Sequence, residues 1–161
     1  MSVRTGIGWD SHRLEPGRPL IVGGVRLEHP DGLGLAGHSD ADVLTHAVID
    51  ALLGAAGLDD IGTHFPDTDE RWRGADSLEL LRAVAAMLAE RGLGVENVDA
   101  TLVMERPKAG PLKHRMRDNL AAALGVGHER VNVKATTGER IGFVGRGEGV
   151  AAQAVATLAS G

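Results

Sequence analysis

His38-Ser-Asp-Ala-Asp-Val-Leu-Thr-His-Ala-Val-Ile-Asp-Ala-Leu-Leu-Gly54 carries the pattern on which the fold turns. Val43, Ala47, Ala51 and Leu52 recur at helical spacing, so the stretch predicts an amphipathic helix. Ser39 reads as its N-cap with Asp42 at the third helical position, and Gly54 or Gly57 ends it. Asp42, His46 and Asp50, four residues apart, form a polar line on a helix that should otherwise be buried. Such a helix needs a sheet to lie on.

Toward the N-terminus, Val3 to His12 reads as a strand. Leu20-Ile-Val22 and Val25-Arg-Leu27 read as a small hairpin whose Gly23-Gly24 supplies positive φ. Toward the C-terminus, Asp59 to Gly74 lacks periodicity and carries the acidic loop Phe65-Pro-Asp-Thr-Asp69. Asp76 with Glu79 starts a second helix, with Leu78, Leu81, Ala85 and Leu88 on one face and an end near Gly92. Val98 to Met104 alternates as a strand. Pro111 opens a third helix with Leu112, Met116, Leu120 and Ala123, closed by Gly125. Val131 to Thr136 is a further strand. After Gly142-Phe-Val-Gly-Arg-Gly-Glu-Gly149, Val150 to Leu158 fits strand or helix, and strand is the reading taken. The expected architecture is α/β of the α+β type: one domain over residues 1–161, a mostly four-stranded sheet covered on one face by helices, and a small N-terminal hairpin.

Composition narrows the function. A chain of 161 residues with 43% hydrophobic and 24% charged residues can bury one core without cross-links. Its aromatic residues are Trp9, Phe65, Trp72 and Phe143, so Leu, Val, Ile and Ala must build that core. The absence of cysteine removes thiolate metal ligands, thiol nucleophiles and disulfides. A net charge of −5 with scattered Lys and Arg argues against a nucleic-acid partner. No apolar run reaches the roughly 18 residues of a spanning helix, and Met1-Ser-Val-Arg-Thr-Gly6 is too polar for a signal peptide. A cytoplasmic protein without membrane or nucleic-acid partners is expected.

Asp10 and His12 stand two apart on the first strand and so share a face. The plainer reading is a turn-capping Asp10 and an exposed His12. Against it stands His46, an imidazole set among Val43, Ala47 and Ile49, where it would be costly without a partner. Asp10, His12 and His46 make an oxygen and nitrogen ligand set suited to a zinc ion with an open fourth position, which a phosphate oxygen would take. Gly6-Ile-Gly8 is no dinucleotide fingerprint, since the third glycine and the following helix are missing, and no P-loop occurs. Anion recognition then falls to metal and to the amides around Ser39, Asp40 and Ala41, with His38 beside them to stabilise charge. Thr136, Thr137 and Glu139 follow a strand and offer hydroxyls for phosphate and a carboxylate for magnesium; a plain strand and surface turn is the alternative.

Taken in order, Gly8-Trp-Asp-Ser-His12, His38-Ser-Asp-Ala-Asp42, His46, Asp50-Ala-Leu-Leu-Gly54, Asp60-Ile-Gly62, Phe65-Pro-Asp-Thr-Asp69, Gly74-Ala-Asp-Ser77, Asn132-Val-Lys-Ala-Thr-Thr137 and Gly142-Phe-Val-Gly-Arg-Gly-Glu-Gly149 form one set of landmarks. End to end, they resemble the 2-C-methyl-D-erythritol 2,4-cyclodiphosphate synthases of the non-mevalonate isoprenoid pathway. The resemblance implies a phosphorus-oxygen lyase that cyclises 4-diphosphocytidyl-2-C-methyl-D-erythritol 2-phosphate and releases CMP. It implies Zn2+ on Asp10, His12 and His46, and Mg2+ or Mn2+ on Glu139 bridging the substrate diphosphate. His38 and Thr137 would steady the transition state.

Asp60, Ile61, Gly62, Phe65, Pro66, Asp67, Thr68 and Asp69 would surround the methylerythritol, and Met104, Pro107 and Lys108 the cytidine, with Ser39, Thr136 and Gly138 also at the substrate. The resemblance further implies a homotrimer with active sites between subunits. Its central channel, lined by Phe143, Arg146 and Glu148, would take an isoprenoid diphosphate, Arg146 being suited to its phosphates. Gly138 stands where the family usually carries a hydroxyl or amide residue, and is expected to loosen the turn that aims Glu139. Two rival readings use the same residues: a zinc phosphoesterase in which bound water attacks phosphorus, and a metal- or isoprenoid-binding trimer without catalysis.

Overall fold

Strand β1, Ser2–Pro16, spans 15 residues and organises the computed structural model, which describes residues 1–161. Its alternation is strict where it matters. Val3, Ile7 and Trp9 are exposed on one face (64, 63 and 55%), while Gly6, Gly8, Asp10 and His12 turn to the other. β1 runs antiparallel to β7, Gly149–Ser160, with Gly6 opposite Ala156, Gly8 opposite Ala154 and Asp10 opposite Ala152. The inner face is therefore a carpet of glycine and alanine.

Helix α1, Val43–Ala56, lies directly on that carpet. A Cβ on Gly8 would sit 1.9 Å from the Ala47 carbonyl oxygen, and one on Gly6 would sit 2.2 Å from that of Ala51. Helix backbone thus touches strand backbone, and the turn of α1 that carries His46 is brought over Asp10 and His12. This is the structural use of the Gly6-x-Gly8 pair.

On the other side of β7 runs β5, Leu93–Val103, antiparallel to it and parallel to β6, Val131–Thr136. The sheet has five strands, not four: β4, Leu33–Leu35, pairs with the far end of β1 through Leu14 and Leu35. Three residues with glycine in the middle show no alternation, so this strand could not be read from sequence. The order is β4-β1-β7-β5-β6, and the expected hairpin forms apart from it as β2, Leu20–Val22, and β3, Val25–Leu27. The sheet is thus mixed, in an α+β fold.

Helices α3, Ser77–Ala89, and α4, Lys113–Leu124, end the covering layer, and one contiguous core of Leu, Val, Ile and Ala joins them to the sheet. No helix is long and apolar enough to cross a membrane. Val150 to Leu158 lies within β7, so the ambiguous tract is strand. β1 and β5 extend beyond the expected boundaries, β5 beginning at Leu93 and bulging between Val95 and Asn97. The stretch read as aperiodic holds a short α2, Ile61–His64, and a 3-10 turn, Glu70–Trp72. A second short helix, α5, Gly142–Gly145, begins the glycine-rich turn.

The cap of α1 is Asp42, not Ser39, because Ala41 takes φ +58° and breaks the helix before it starts. Asp42 is fully buried, and its carboxylate accepts three amides: Gly23 at 2.8 Å, Gly24 at 2.8 Å and Thr45 at 3.0 Å. One side chain caps the helix and clamps the hairpin turn. Replacing it by alanine orphans these donors, so Asp42→Ala is expected to cost about 3 kcal/mol in urea denaturation. Asp42→Asn, which keeps an acceptor, should lose less.

Candidate active site

Asp10 and His12 project from β1, and His46 descends on them from the first turn of α1. His12 Nε2 lies 2.8 Å and His46 Nδ1 3.2 Å from Asp10 Oδ2, and the two imidazole nitrogens are 3.3 Å apart. Ligand atoms about 2.0–2.1 Å from a tetrahedral ion lie roughly 3.3 Å from one another, so the three edges are near those of a zinc site. Protons complete the argument. His12 Nδ1 sits 2.8 Å from the Ala36 carbonyl, which can only accept, so its proton is there and Nε2 is bare. His46 Nε2 is engaged by Ser77 Oγ at 2.8 Å, which leaves Nδ1 for the cluster. With both rings neutral, three lone pairs converge, and Asp10 Oδ2 is buried with no hydrogen-bond partner. A cation resolves that repulsion, and the donor set fits a divalent metal.

Without metal, a proton takes the place of the cation. Burial pushes Asp10 upward, but the adjoining imidazoles of His12 and His46 outweigh it and hold the carboxyl at about 2. Burial likewise pushes His12 downward, and the hydrogen bond and charge of Asp10 outweigh it, raising the imidazole above 6.5. The raised His12 stabilises the metal-free protein fully below about pH 6.5 and loses that contribution as pH rises through its folded value. The lowered Asp10 contributes above 3.8 and loses its contribution as pH falls through about 2. Metal must displace the His12 proton, so zinc affinity should rise with pH until His12 is neutral. Melting curves with and without chelator, from about pH 5 to about pH 8, should show a zinc-dependent gain in Tm that grows with pH.

The triad opens into a cavity of about 380 Å3 that also takes in His38, Ser39, Ile61, Gly62, Phe65, Pro66 and Asp67. The carboxylate of Asp50 accepts the Ile61 amide at 2.8 Å, which fixes α2 beside the cavity. His38 Nε2 donates to the Asp69 carbonyl at 2.9 Å, tying the acidic loop to the site. Asp60, Thr68 and Asp69 lie outside the lining: the Asp60 carboxylate caps α2 and that of Asp69 binds Arg71. A second, larger cavity of about 770 Å3 gathers Met104, Lys108, Thr136, Thr137 and Glu139. In one chain the two cavities are separate.

Residues 3–159 match the model of the YgbB family. The chain belongs to the YgbB family. It is 59% identical, over 161 residues that span 100% of it and 99% of the relative, to the 2-C-methyl-D-erythritol 2,4-cyclodiphosphate synthase of Thermosynechococcus vestitus. A solved structure of an enzyme of that name with CDP bound superposes with a TM-score of 0.87 at 39% identity, covering 97% of this chain and 100% of that one. The bifunctional IspDF of Campylobacter jejuni gives a TM-score of 0.92 at 43% identity, and this chain covers 42% of its length while 98% of this chain is matched. The names of these relatives agree with the family read from the ordered motifs, and the superposition agrees with the α+β class.

Within this YgbB chain both amides of the turn that carries Glu139 are hydrogen-bonded. The Gly138 amide donates to Glu105 Oε2 at 2.9 Å and the Glu139 amide to Thr137 Oγ1 at 3.2 Å. A Cβ on Gly138 would lie 2.6 Å from the Gly145 amide nitrogen, so the position is crowded. Pro107 and Gly138 do not line the larger cavity, whereas Glu105 and Arg140 do. Phe143 and Glu148 share a third hollow with Ser11 and Arg13; Arg146 is outside it, its guanidinium on Glu148 at 3.0 and 3.2 Å. Residues missed by sequence include Trp72, which stacks edge-on against Phe65 at 5.1 Å, and Arg18, which donates to the carbonyls of Leu35 and Ser39. Ser77, which belongs to the Gly74-Ala-Asp-Ser77 landmark, carried no assigned role in the site. Its signal was a hydroxyl directly after a helix cap, which sequence alone reads as ordinary helix-start chemistry.

Proposed function

We propose that this YgbB-family chain is a 2-C-methyl-D-erythritol 2,4-cyclodiphosphate synthase of the non-mevalonate pathway, its single domain spanning residues 1–161. The 2-phosphate of 4-diphosphocytidyl-2-C-methyl-D-erythritol 2-phosphate attacks the β-phosphorus, the bond between that phosphorus and the bridging oxygen breaks, and CMP leaves with the electron pair. The observation that carries this reading is the convergence of three potential ligand atoms at the mouth of a cavity lined by His38 and Ser39. Asp10, His12 and His46 would hold Zn2+ or another divalent transition metal, and Glu139 Mg2+ or Mn2+, and these charges neutralise the diphosphate when bound.

The chain's own groups do the positioning. Thr137 Oγ1 accepts the Glu139 amide, so its hydroxyl proton is free for a phosphate oxygen. His38 donates from Nε2 to Asp69, so its imidazolium form offers Nδ1–H to phosphate. Ile61, Gly62 and the Phe65–Asp67 wall shape the methylerythritol side, and Met104 and Lys108 the cytidine side.

A homotrimer supports this chemistry in two ways. The outer sheet face exposes Val3, Ile7 and Trp9, an apolar surface that a second copy would cover. The two halves of the expected site lie in separate cavities of one chain, so a neighbour bringing its Glu139 side to this triad completes it. Phe143 and Glu148, with Arg146, would then face the central channel, where an isoprenoid diphosphate binds. The enzyme works in the cytoplasm.

Product analysis by 31P NMR tests the reading against its rivals. CMP with a cyclic diphosphate is the expected result. CMP with an open-chain diphosphate would mark a phosphoesterase, and no CMP from metal-loaded protein would mark a binding protein.

A further inference from the structure

Behind His46 lies a hydrogen-bonded chain that the reaction above does not use. Ser77 is fully buried, and its hydroxyl contacts both His46 Nε2, at 2.8 Å, and Asp40 Oδ1. The other oxygen of Asp40 accepts the Ser77 amide at 3.1 Å, the first amide of α3. Asp40 is itself anchored: its amide donates to Ala75 at 3.0 Å, and the neighbouring Gly74 amide donates to His38 at 2.8 Å. The loop before α1 and the start of α3 are thus stitched together at the carboxylate.

The direction of each proton follows from what each group can do. An ionised carboxylate only accepts, so the Ser77 hydroxyl donates to Asp40 and turns its lone pair to His46. His46 must then carry its proton on Nε2, which leaves Nδ1 bare toward Asp10 and His12. Ser39 offers the opposite choice. Its Oγ lies 3.3 Å from the same Nε2, and a hydroxyl donated there would move the ring proton to Nδ1, into the metal position. The shorter contact and the charge behind Ser77 decide between the two.

We propose that Asp40 and Ser77 are positioning residues that select the metal-binding tautomer of His46. The proposal rests on the reading that Asp10, His12 and His46 hold a divalent cation, and it adds to that ligand set a buried carboxylate acting through a hydroxyl. Partners that orient a ligating imidazole typically contribute about 10–100-fold in metal affinity.

Two measurements on the full chain test it. Zinc affinity, by competition with a chromophoric chelator, should fall about 10–100-fold in Ser77→Ala and in Asp40→Asn. Ser39→Ala, which removes the competing donor, should not weaken zinc. Second, 15N NMR of the metal-free wild type at about pH 8.5 should show the His46 proton on Nε2, a signature that a merely structural role would not set. Folded Ser77→Ala and Asp40→Asn with wild-type zinc affinity would overturn the proposal, as would a wild-type His46 carrying its proton on Nδ1. A wild-type chain that holds no zinc would instead overturn the metal reading beneath it, and the NMR signature separates the two failures.

Discussion

Replacing His46 by alanine is expected to abolish zinc retention and to lower kcat/KM by roughly 10^3-fold or more. In the proposed site His46 is the only ligand from α1, so its loss would leave Asp10 and His12 as a two-point grip on one strand. An ion held by two groups exchanges readily and cannot keep a fixed open position. The protein itself should survive. His46 sits at the edge of the cavity, and its hydrogen-bond partners Ser77 and Ser39 retain Asp40 and the Ala41 amide. The metal-free variant should therefore unfold within about 1–2 kcal/mol of the metal-free wild type. Metal content, turnover and denaturation measured on the same preparations check all three statements. A variant that keeps stoichiometric zinc and wild-type turnover would remove His46 from the site.

Gly8→Ala is expected to cost at least about 3 kcal/mol and to lose the metal with it. The added Cβ would lie 1.9 Å from the Ala47 carbonyl oxygen and 2.7 Å from the Ala51 amide nitrogen. Both atoms are helix backbone, so no side-chain rotation relieves the overlap, and α1 must move off the sheet. His46 precedes Ala47 and moves with it, away from Asp10 and His12. A matched control is available in Gly94 of β5, where an added Cβ would approach nothing closer than the Ala159 carbonyl at 3.8 Å. Gly94→Ala should stay within about 0.5 kcal/mol of wild type and bind zinc normally. Equal stability of the two variants would contradict the account of how helix and strand are spaced.

The convergence of Asp10, His12 and His46 was legible in sequence because it uses the two simplest periods. Asp10 and His12 share a face by the two-residue repeat of a strand, and His46 marks a polar break in a helix that must be buried. The remainder of that polar line was not legible. Asp42, His46 and Asp50 read as one stripe, yet Asp42 turns to the hairpin amides, His46 to the triad and Asp50 to the Ile61 amide. Periodicity gives the side of the helix and not the partner. Gly6-x-Gly8 was rightly separated from nucleotide fingerprints, but its use depends on the helix that lands on it, about 40 residues onward in the chain.

Short elements were the other loss. β4 is too brief to alternate, and Ser39 was assigned a cap that the positive φ of Ala41 transfers to Asp42. Ser77 joins the site across 31 residues, a contact that no local pattern encodes. Arg146, which the family resemblance assigns to the channel, is paired with Glu148 two residues away, a contact within the glycine-rich turn that the motif alone does not specify.

Diffraction from zinc-soaked crystals, recorded on both sides of the zinc absorption edge, would locate the ion at or away from Asp10, His12 and His46. One anomalous peak per chain is expected about 2.0–2.1 Å from Asp10 Oδ2, His12 Nε2 and His46 Nδ1, with a fourth position open to the cavity. An anomalous peak ligated elsewhere, or none at these three atoms in zinc-saturated crystals, would contradict the proposed site.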